Sequence, residues 1–286
     1  MLKISPKKKD FWGNNNEVKM VNIIVAGAAG RMGIRIINII NEIEGVRLAG
    51  AFEHPDNPMT GQDAGQTAGI GIKGVKISNS LMDIVASGDV IIDFTIPAAT
   101  MSNVKNAAAS GKAIVIGTTG ITDEQIKEIK SYSKKIPVIL APNMSVGVNV
   151  MFKIAAEMAK ILGSDYDLEI IEAHHRLKKD APSGTAIGLA EKLAEATGRD
   201  LLKTAVYSRH GMIGQRTDEE IGIQTVRAGD ITGDHTVLFG GIGERLELIH
   251  RAHNRDNFAK GAVRAAKWIV NREPGLYDMQ DVLGLK

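Results

Sequence analysis

The sequence predicts a two-part α/β protein, with a doubly wound parallel-sheet dinucleotide-binding domain and a second α+β domain built on an open mixed sheet. Three observations carry this expectation. From Val21 onward, short and wholly apolar runs alternate with helical stretches, the pattern of parallel strands covered on both faces. The first run opens directly into a glycine turn, Gly27-Ala28-Ala29-Gly30-Arg31-Met32-Gly33. Past residue 145 the runs lengthen and follow one another with few helices between them, as in a sheet with one face left open.

Taken in order, Val21–Ala26 is the first strand, a helix starts at about Arg31, and Val46–Phe52 is the second strand. After a glycine-rich loop, residues 89–94, Ala113–Ile116 and residues 138–140 read as three more buried strands, separated by helices near 98–110 and 123–134. Right-handed crossovers wind such a sheet in both directions. The second part opens with a helix over 148–162, then strands over 168–173, 204–208, 222–227, 236–239 and 245–250. A last helix over 258–270, with Ala262, Val263, Ala266, Ile269 and Val270 on its apolar side, is expected to return to the first domain. The expected division is therefore 20–145 with 254–286 for the dinucleotide domain, and 146–253 for a substrate-binding and oligomerisation domain. Residues 1–19, with Lys7-Lys8-Lys9 and Asn14-Asn15-Asn16, have no signal-peptide core and read as a flexible polar tail, with Met20 as an alternative start.

The 35 basic and 33 acidic residues nearly cancel, to a net charge of +2. That balance gives no general attraction to nucleic acid or membrane surfaces. No apolar run approaches the roughly 18 residues of a membrane span. The chain contains no cysteine, which excludes disulfides, thiolate metal sites and a cysteine nucleophile, and fits a reducing, cytoplasmic setting.

The glycine turn is G-x-x-G-x-x-G, not G-x-G-x-x-G, and by spacing alone it also fits a strand–helix turn without a ligand. Glu53 changes the balance. It lies 20 residues after Gly33, at the end of the second strand, where an acid can accept hydrogen bonds from an adenosine ribose. Backbone amides of the turn can then meet a pyrophosphate at the helix start. Two further strand ends, Gly117-Thr118-Thr119-Gly120 and Ala141-Pro142-Asn143-Met144, carry small residues that leave room for a nicotinamide ring.

The densest chemistry runs from Glu172 to Ala186, where His174, His175, Arg176, Lys178 and Lys179 fall within six residues. Ser183-Gly184-Thr185 then opens an apolar helix, whose start offers unpaired N–H donors to an anion. These groups suit a small substrate bearing carboxylates, together with a proton donor. On composition alone they also fit a solvated basic face with an ordinary helix cap. A zinc site is not expected, because adjacent histidines rarely converge on one ion and no HExxH spacing occurs.

The glycine turn, Asp93-Phe94-Thr95, Gly117-Thr118-Thr119-Gly120, Asn143-Met144-Ser145-Val146-Gly147-Val148-Asn149, the Glu172–Ala186 block and Val226-Arg227-Ala228-Gly229-Asp230 together resemble the 4-hydroxy-tetrahydrodipicolinate (dihydrodipicolinate) reductase family. The resemblance runs from about Val21 to the C-terminus. It implies reduction of a cyclic, unsaturated dicarboxylate by NADH or NADPH, with loss of water, in lysine and diaminopimelate biosynthesis, by a homotetramer needing no metal. It also implies roles. His174 matches a proton donor or acceptor, and Lys178 the proton donor. His175, Gly184 and Thr185 match contacts to the substrate carboxylates. Gly27, Ala28, Ala29, Gly30, Arg31, Met32, Glu53, Gly117, Thr118, Thr119, Ala141, Pro142, Asn143 and Met144 match cofactor contacts. One position departs. Where the family often has an arginine that meets the 2′-phosphate of NADPH, this chain has His54, which leaves the choice of cofactor open. Two other readings share parts of the pattern: a related oxidoreductase acting on another small acid, and a nicotinamide-sensing regulator. The first need not carry the His174–Lys178 block, and the second would expect an added basic recognition helix, which is not apparent in the sequence.

Overall fold

The computed structural model describes residues 20–286. The tail expected over 1–19 lies outside the described residues. The chain first runs β1 (Val21–Ala26), α1 (Arg31–Glu42), β2 (Val46–Phe52), α2 (Ala64–Thr67), β3 (Ile77–Ser78), β4 (Val90–Asp93), α3 (Pro97–Ala109), β5 (Ala113–Ile116), α4 (Asp123–Tyr132) and β6 (Pro137–Leu140). It continues with α5 (Val146–Leu162), β7 (Asp167–His174), α6 (Gly184–Thr197), α7 (Leu201–Thr204), β8 (Ala205–Val206), β9 (Ile221–Arg227), β10 (Gly233–Gly241) and β11 (Glu244–Ala252). It closes with α8 (Asp256–Ile269), β12 (Gly275–Tyr277) and α9 (Met279–Leu283).

The first sheet has the order β12-β6-β5-β4-β1-β2-β3, and every pairing in it is parallel. Its strands are apolar on both faces because helices cover both. Ile23, Val25, Val90, Ile92 and Val115 pack with Ile36, Ile37 and Ile40 of α1 and with Ala262, Val263 and Ala266 of α8. Ile24, Ile91, Ile114 and Ile116, the alternate positions, pack with Val104 and Ala107 of α3 and Ile129 of α4. The fold is thus the doubly wound arrangement that the apolar runs predict.

The second sheet, β11-β10-β7-β9-β8, is mixed: β7 and β9 are parallel, while β10 runs antiparallel to both β7 and β11. One face packs under α5 and α6, where Leu168, Ile170, Ile223, Val237 and Phe239 meet Ala155, Leu189, Ala190 and Leu193. The other face is open, with Ile171, Val226 and Ile249 exposed on it. The strand expected at 204–208 shrinks to Ala205–Val206. Asp200 caps a short helix just before it, its carboxylate accepting from the Leu202 amide at 3.1 Å, and this captures Thr204. The sequence reading missed β3, β12 and α9, all of five residues or fewer and too short to show a period.

Candidate active site at two helix starts

At the first helix start, Gly27 has φ +64°, a conformation open to glycine. A Cβ on Gly33 would lie 2.1 Å from the Gly27 carbonyl oxygen, so only glycine lets α1 pack this closely on the turn. Gly30 is the N-cap and supplies no side chain, and the first turn of α1 carries no acid. The leading amides of α1 are therefore left to an incoming anion. The turn's own amides are spoken for. Ala28 N–H donates to the Phe52 carbonyl, Gly30 N–H to the Gly27 carbonyl, and Ala29 N–H to Glu53 Oε1 at 2.9 Å. That last bond fixes the ribose-binding candidate at the tip of β2, and it takes Ala29 off the set of free pyrophosphate donors.

A cleft of about 620 Å³ runs past this turn, lined by Gly27, Gly30, Glu53 and His54, and also by Phe94 and Thr95 beyond β4. The donor set and the glycine cradle fit a dinucleotide. His54 is exposed, and its Nδ1 accepts the Asp56 amide at 3.3 Å, which leaves Nε2 free. Arg31 is exposed, and Met32 packs on the core. Gly117 and Ala141 sit at adjacent strand ends, their amides donating to the Asp93 and Ile116 carbonyls. A Cβ on Gly117 would strike the Phe94 ring at 2.3 Å. Beneath the cleft, buried Asp93 accepts from Thr95 Oγ1 at 2.6 Å and from Asn103 Nδ2 at 2.9 Å. Thr118 is buried in the same network, its hydroxyl 2.8 Å from that of Thr100. Thr119 and Pro142 are exposed, and Met144 is buried.

At the second helix start, β7 alternates Leu168, Ile170, Glu172 and His174 on its covered face. Glu172 is fully buried. Arg227 of β9 forks onto both of its oxygens at 2.9 Å, the Ser183 amide donates to Oε1 at 3.0 Å, and His174 Nδ1 lies 2.6 Å from Oε2. Burial pushes the Glu172 carboxyl up, but these hydrogen bonds outweigh it and hold it down to about 2. Burial also pushes the His174 imidazole below its ordinary value, against the pull of Glu172. A neutral His174 donates Nδ1–H to Glu172 and keeps the Nε2 lone pair as an acceptor. Lys178 Nζ rests 2.9 Å from Asp180 Oδ2, and His175 is half-buried, its carbonyl accepting the Lys178 amide.

Ser183 is the N-cap of α6 and its Oγ accepts from the Ala186 amide. The same Oγ lies 3.1 Å from Nε2 of His235 on β10, whose imidazole burial pushes down to about 3. Gly184 and Thr185 follow with their amides ahead of the first helical bond, Ile187 N–H to the Ser183 carbonyl. One side-chain bond joins the two helix starts' surroundings: Asn143 Nδ2 donates to Thr185 Oγ1 at 2.9 Å. The structure thus gathers His174, His175, Lys178, Gly184 and Thr185 at the end of β7 and the start of α6, and connects them to the loop after β6. The sequence reading gave no role to Glu172, Arg227 or His235. Their signal was parity, since each polar residue stands on the apolar side of its strand.

Family models described as dihydrodipicolinate reductase, N-terminus and C-terminus, match residues 21–144 and 147–283. The chain belongs to the dihydrodipicolinate reductase family. Among relatives in this family, the 4-hydroxy-tetrahydrodipicolinate reductase of Citrifermentans bemidjiense is 58% identical over 267 residues, which span 93% of this chain and all of the relative. That of Syntrophus aciditrophicus is 55% identical over the same shares. A solved structure of dipicolinate-bound dihydrodipicolinate reductase from Paenisporosarcina sp. TG-14 is 26% identical, with a TM-score of 0.72 over 92% of this chain and 98% of that one. Family membership makes this chain a nicotinamide-dependent oxidoreductase.

Proposed function

We propose that this protein is a 4-hydroxy-tetrahydrodipicolinate reductase, converting its substrate, one reduced nicotinamide dinucleotide and a proton into tetrahydrodipicolinate, the oxidised dinucleotide and water. The observation that carries this reading is the reactive block itself. His174, Lys178 and the Ser183–Thr185 helix start stand complete in a chain that is 58% identical to a reductase of that name. The Paenisporosarcina enzyme was solved with dipicolinate, a planar cyclic dicarboxylate, which fits an anion-binding helix start.

The dinucleotide, when bound, supplies the hydride. The chain's residues do the rest. Leading amides of α1 take the pyrophosphate, which the side-chain-free glycine turn lets come close, Glu53 takes the adenosine ribose, and Gly117 to Thr119 with Ala141 to Met144 the nicotinamide end. Gly184 N–H, Thr185 N–H and the Thr185 hydroxyl hold one substrate carboxylate, and His175 faces the other. Lys178, drawn off Asp180, stabilises charge developing on the ring and delivers the proton from Nζ. His174, neutral and clamped by Glu172, accepts a hydrogen bond or proton at Nε2. A mixing assay with substrate and NADH tests this, and loss of the reduced cofactor's absorbance is expected. No oxidation with either NADH or NADPH would sink the reading.

Three finer statements belong to the proposal. NADH is used at least as well as NADPH, because Glu53 repels a 2′-phosphate and His54 lacks arginine's permanent charge and fork. The protein assembles as a homotetramer through the open face bearing Ile171, Val226 and Ile249, and a monomer in sedimentation at micromolar concentration would contradict this. The reaction takes place in the cytoplasm. No helix among the described residues is long and apolar enough to cross a membrane.

A further inference from the structure

A threonine hydroxyl has one proton to give, and its neighbours decide where it goes. Asn143 settles the matter for Thr185. Its Oδ1 accepts the Ser145 amide at 2.9 Å, so the other end of the carboxamide is the NH2 group, and that group donates to Thr185 Oγ1 at 2.9 Å. The Asn143 carbonyl accepts from Nδ2 of Asn149 at 2.9 Å. Asn149 is buried and is bound in turn by Gln280 of α9, whose Nε2 donates to its carbonyl at 3.0 Å. Those last bonds fix the backbone that carries Asn143, and turning the carboxamide over would break both of its own, to Ser145 and to Thr185. An oxygen that accepts along one direction presents its proton along another, so Thr185 O–H is kept as a donor beside the Gly184 and Thr185 amides.

We propose that Asn143 is a positioning residue for substrate recognition: it holds Thr185 Oγ1 as an acceptor, so that the Thr185 hydroxyl donates to the substrate carboxylate. The inference rests on the function proposed above, which places Thr185 at that carboxylate and the Ala141–Met144 loop at the nicotinamide end. It adds that the cofactor loop sets the donor direction in the substrate site.

Asn143→Asp gives the test. The variant keeps the shape and the Ser145 bond, but its second oxygen has no N–H to offer. Thr185 must then donate its proton to Asp, and the substrate loses a charge-assisted hydrogen bond. The substrate KM should rise about ten- to a hundredfold, with kcat falling less. Thr185→Val should raise KM similarly in the wild-type background and add almost nothing on top of Asn143→Asp, whereas Thr185→Ser, which keeps the hydroxyl, should raise KM less than Thr185→Val. Additive losses in the double variant, or an unchanged KM in Asn143→Asp, would overturn the proposal. If Asn143→Asp does not fold, Asn143→Ala replaces it. There the hydroxyl is free to rotate, KM should rise by a few-fold, and an unchanged KM is equally fatal. Absence of wild-type turnover would overturn the proposed function instead, so the two failures are told apart.

Discussion

The starts of α1 and α6 solve one problem in opposite ways. Both present leading amides to an anion. The α1 start is bare: glycine at the cap, no side-chain cap, and Gly33 pressed against the Gly27 carbonyl. The α6 start is furnished. Ser183 caps it, Glu172 holds Ser183 by its amide, Arg227 and His174 hold Glu172, and Asn143 holds Thr185. A bare start recognises by close approach, and its selectivity lies in what fits the gap. A furnished start recognises by direction, because each donor is aimed by a second residue. Damage to the first should therefore come from added bulk, and damage to the second from lost partners.

The largest expected effect tests that separation. Lys178→Ala should lower turnover by about 10²–10⁴ while leaving dinucleotide affinity near wild type, measured by steady-state kinetics beside a binding titration. A matching fall in dinucleotide affinity would break the comparison. Next is the buried clamp. Glu172→Gln leaves Arg227 without its charge partner and should destabilise the fold by about 3–5 kcal/mol in urea unfolding. The sign with pH follows from the depressed carboxyl. Glu172 stabilises the native state above its ordinary value of 4.5, and that contribution is lost as pH falls towards about 2. Wild-type stability should slope downward through this acid window, and the slope should flatten in Glu172→Gln. An identical slope in both would assign acid sensitivity to other carboxylates.

At the bare start, Gly33→Ala should cost about 1–3 kcal/mol of stability through overpacking and weaken dinucleotide binding, with substrate KM changed far less. Calorimetric melting and cofactor titration would check it, and an unaltered cofactor affinity would mean that the turn tolerates bulk. The smallest effect is at the rim. His54→Arg should move the ratio of NADH to NADPH efficiencies towards NADPH by a few-fold, the scale of an exposed charge contact. An unchanged ratio would show that other residues read the 2′-phosphate.

What the sequence disclosed follows the same division. The five longer strands of the first sheet were legible because each is dominated by an apolar run, and α1 carries a clean isoleucine stripe. The glycine turn and Glu53 could be read because their chemistry is local. The furnishing of α6 was not. Glu172 meets Arg227 across 55 residues, Ser183 meets His235 across 52, and Asn143 meets Thr185 across 42. No window of periodicity spans such distances. Parity gave a hint, since Glu172 and His174 stand where β7 should be apolar. The Ala29–Glu53 bond is invisible for a different reason: sequence spacing assigns amides of the turn to a pyrophosphate, although a folded acid can take one before any ligand arrives.

A last consequence comes from how the chain passes between its two sheets. It crosses twice, once from β6 into α5 and once from β11 into α8. The crossings touch: a Cβ on Gly261 of α8 would lie 1.7 Å from the Met144 carbonyl oxygen. Bodies joined by one strand can swivel about any axis, but two crossings act as two pins of a door and leave one line to turn about. The Asn143–Thr185 bond bridges the loop before the first crossing and the start of α6, so a turn about that line wide enough to part them has to break it.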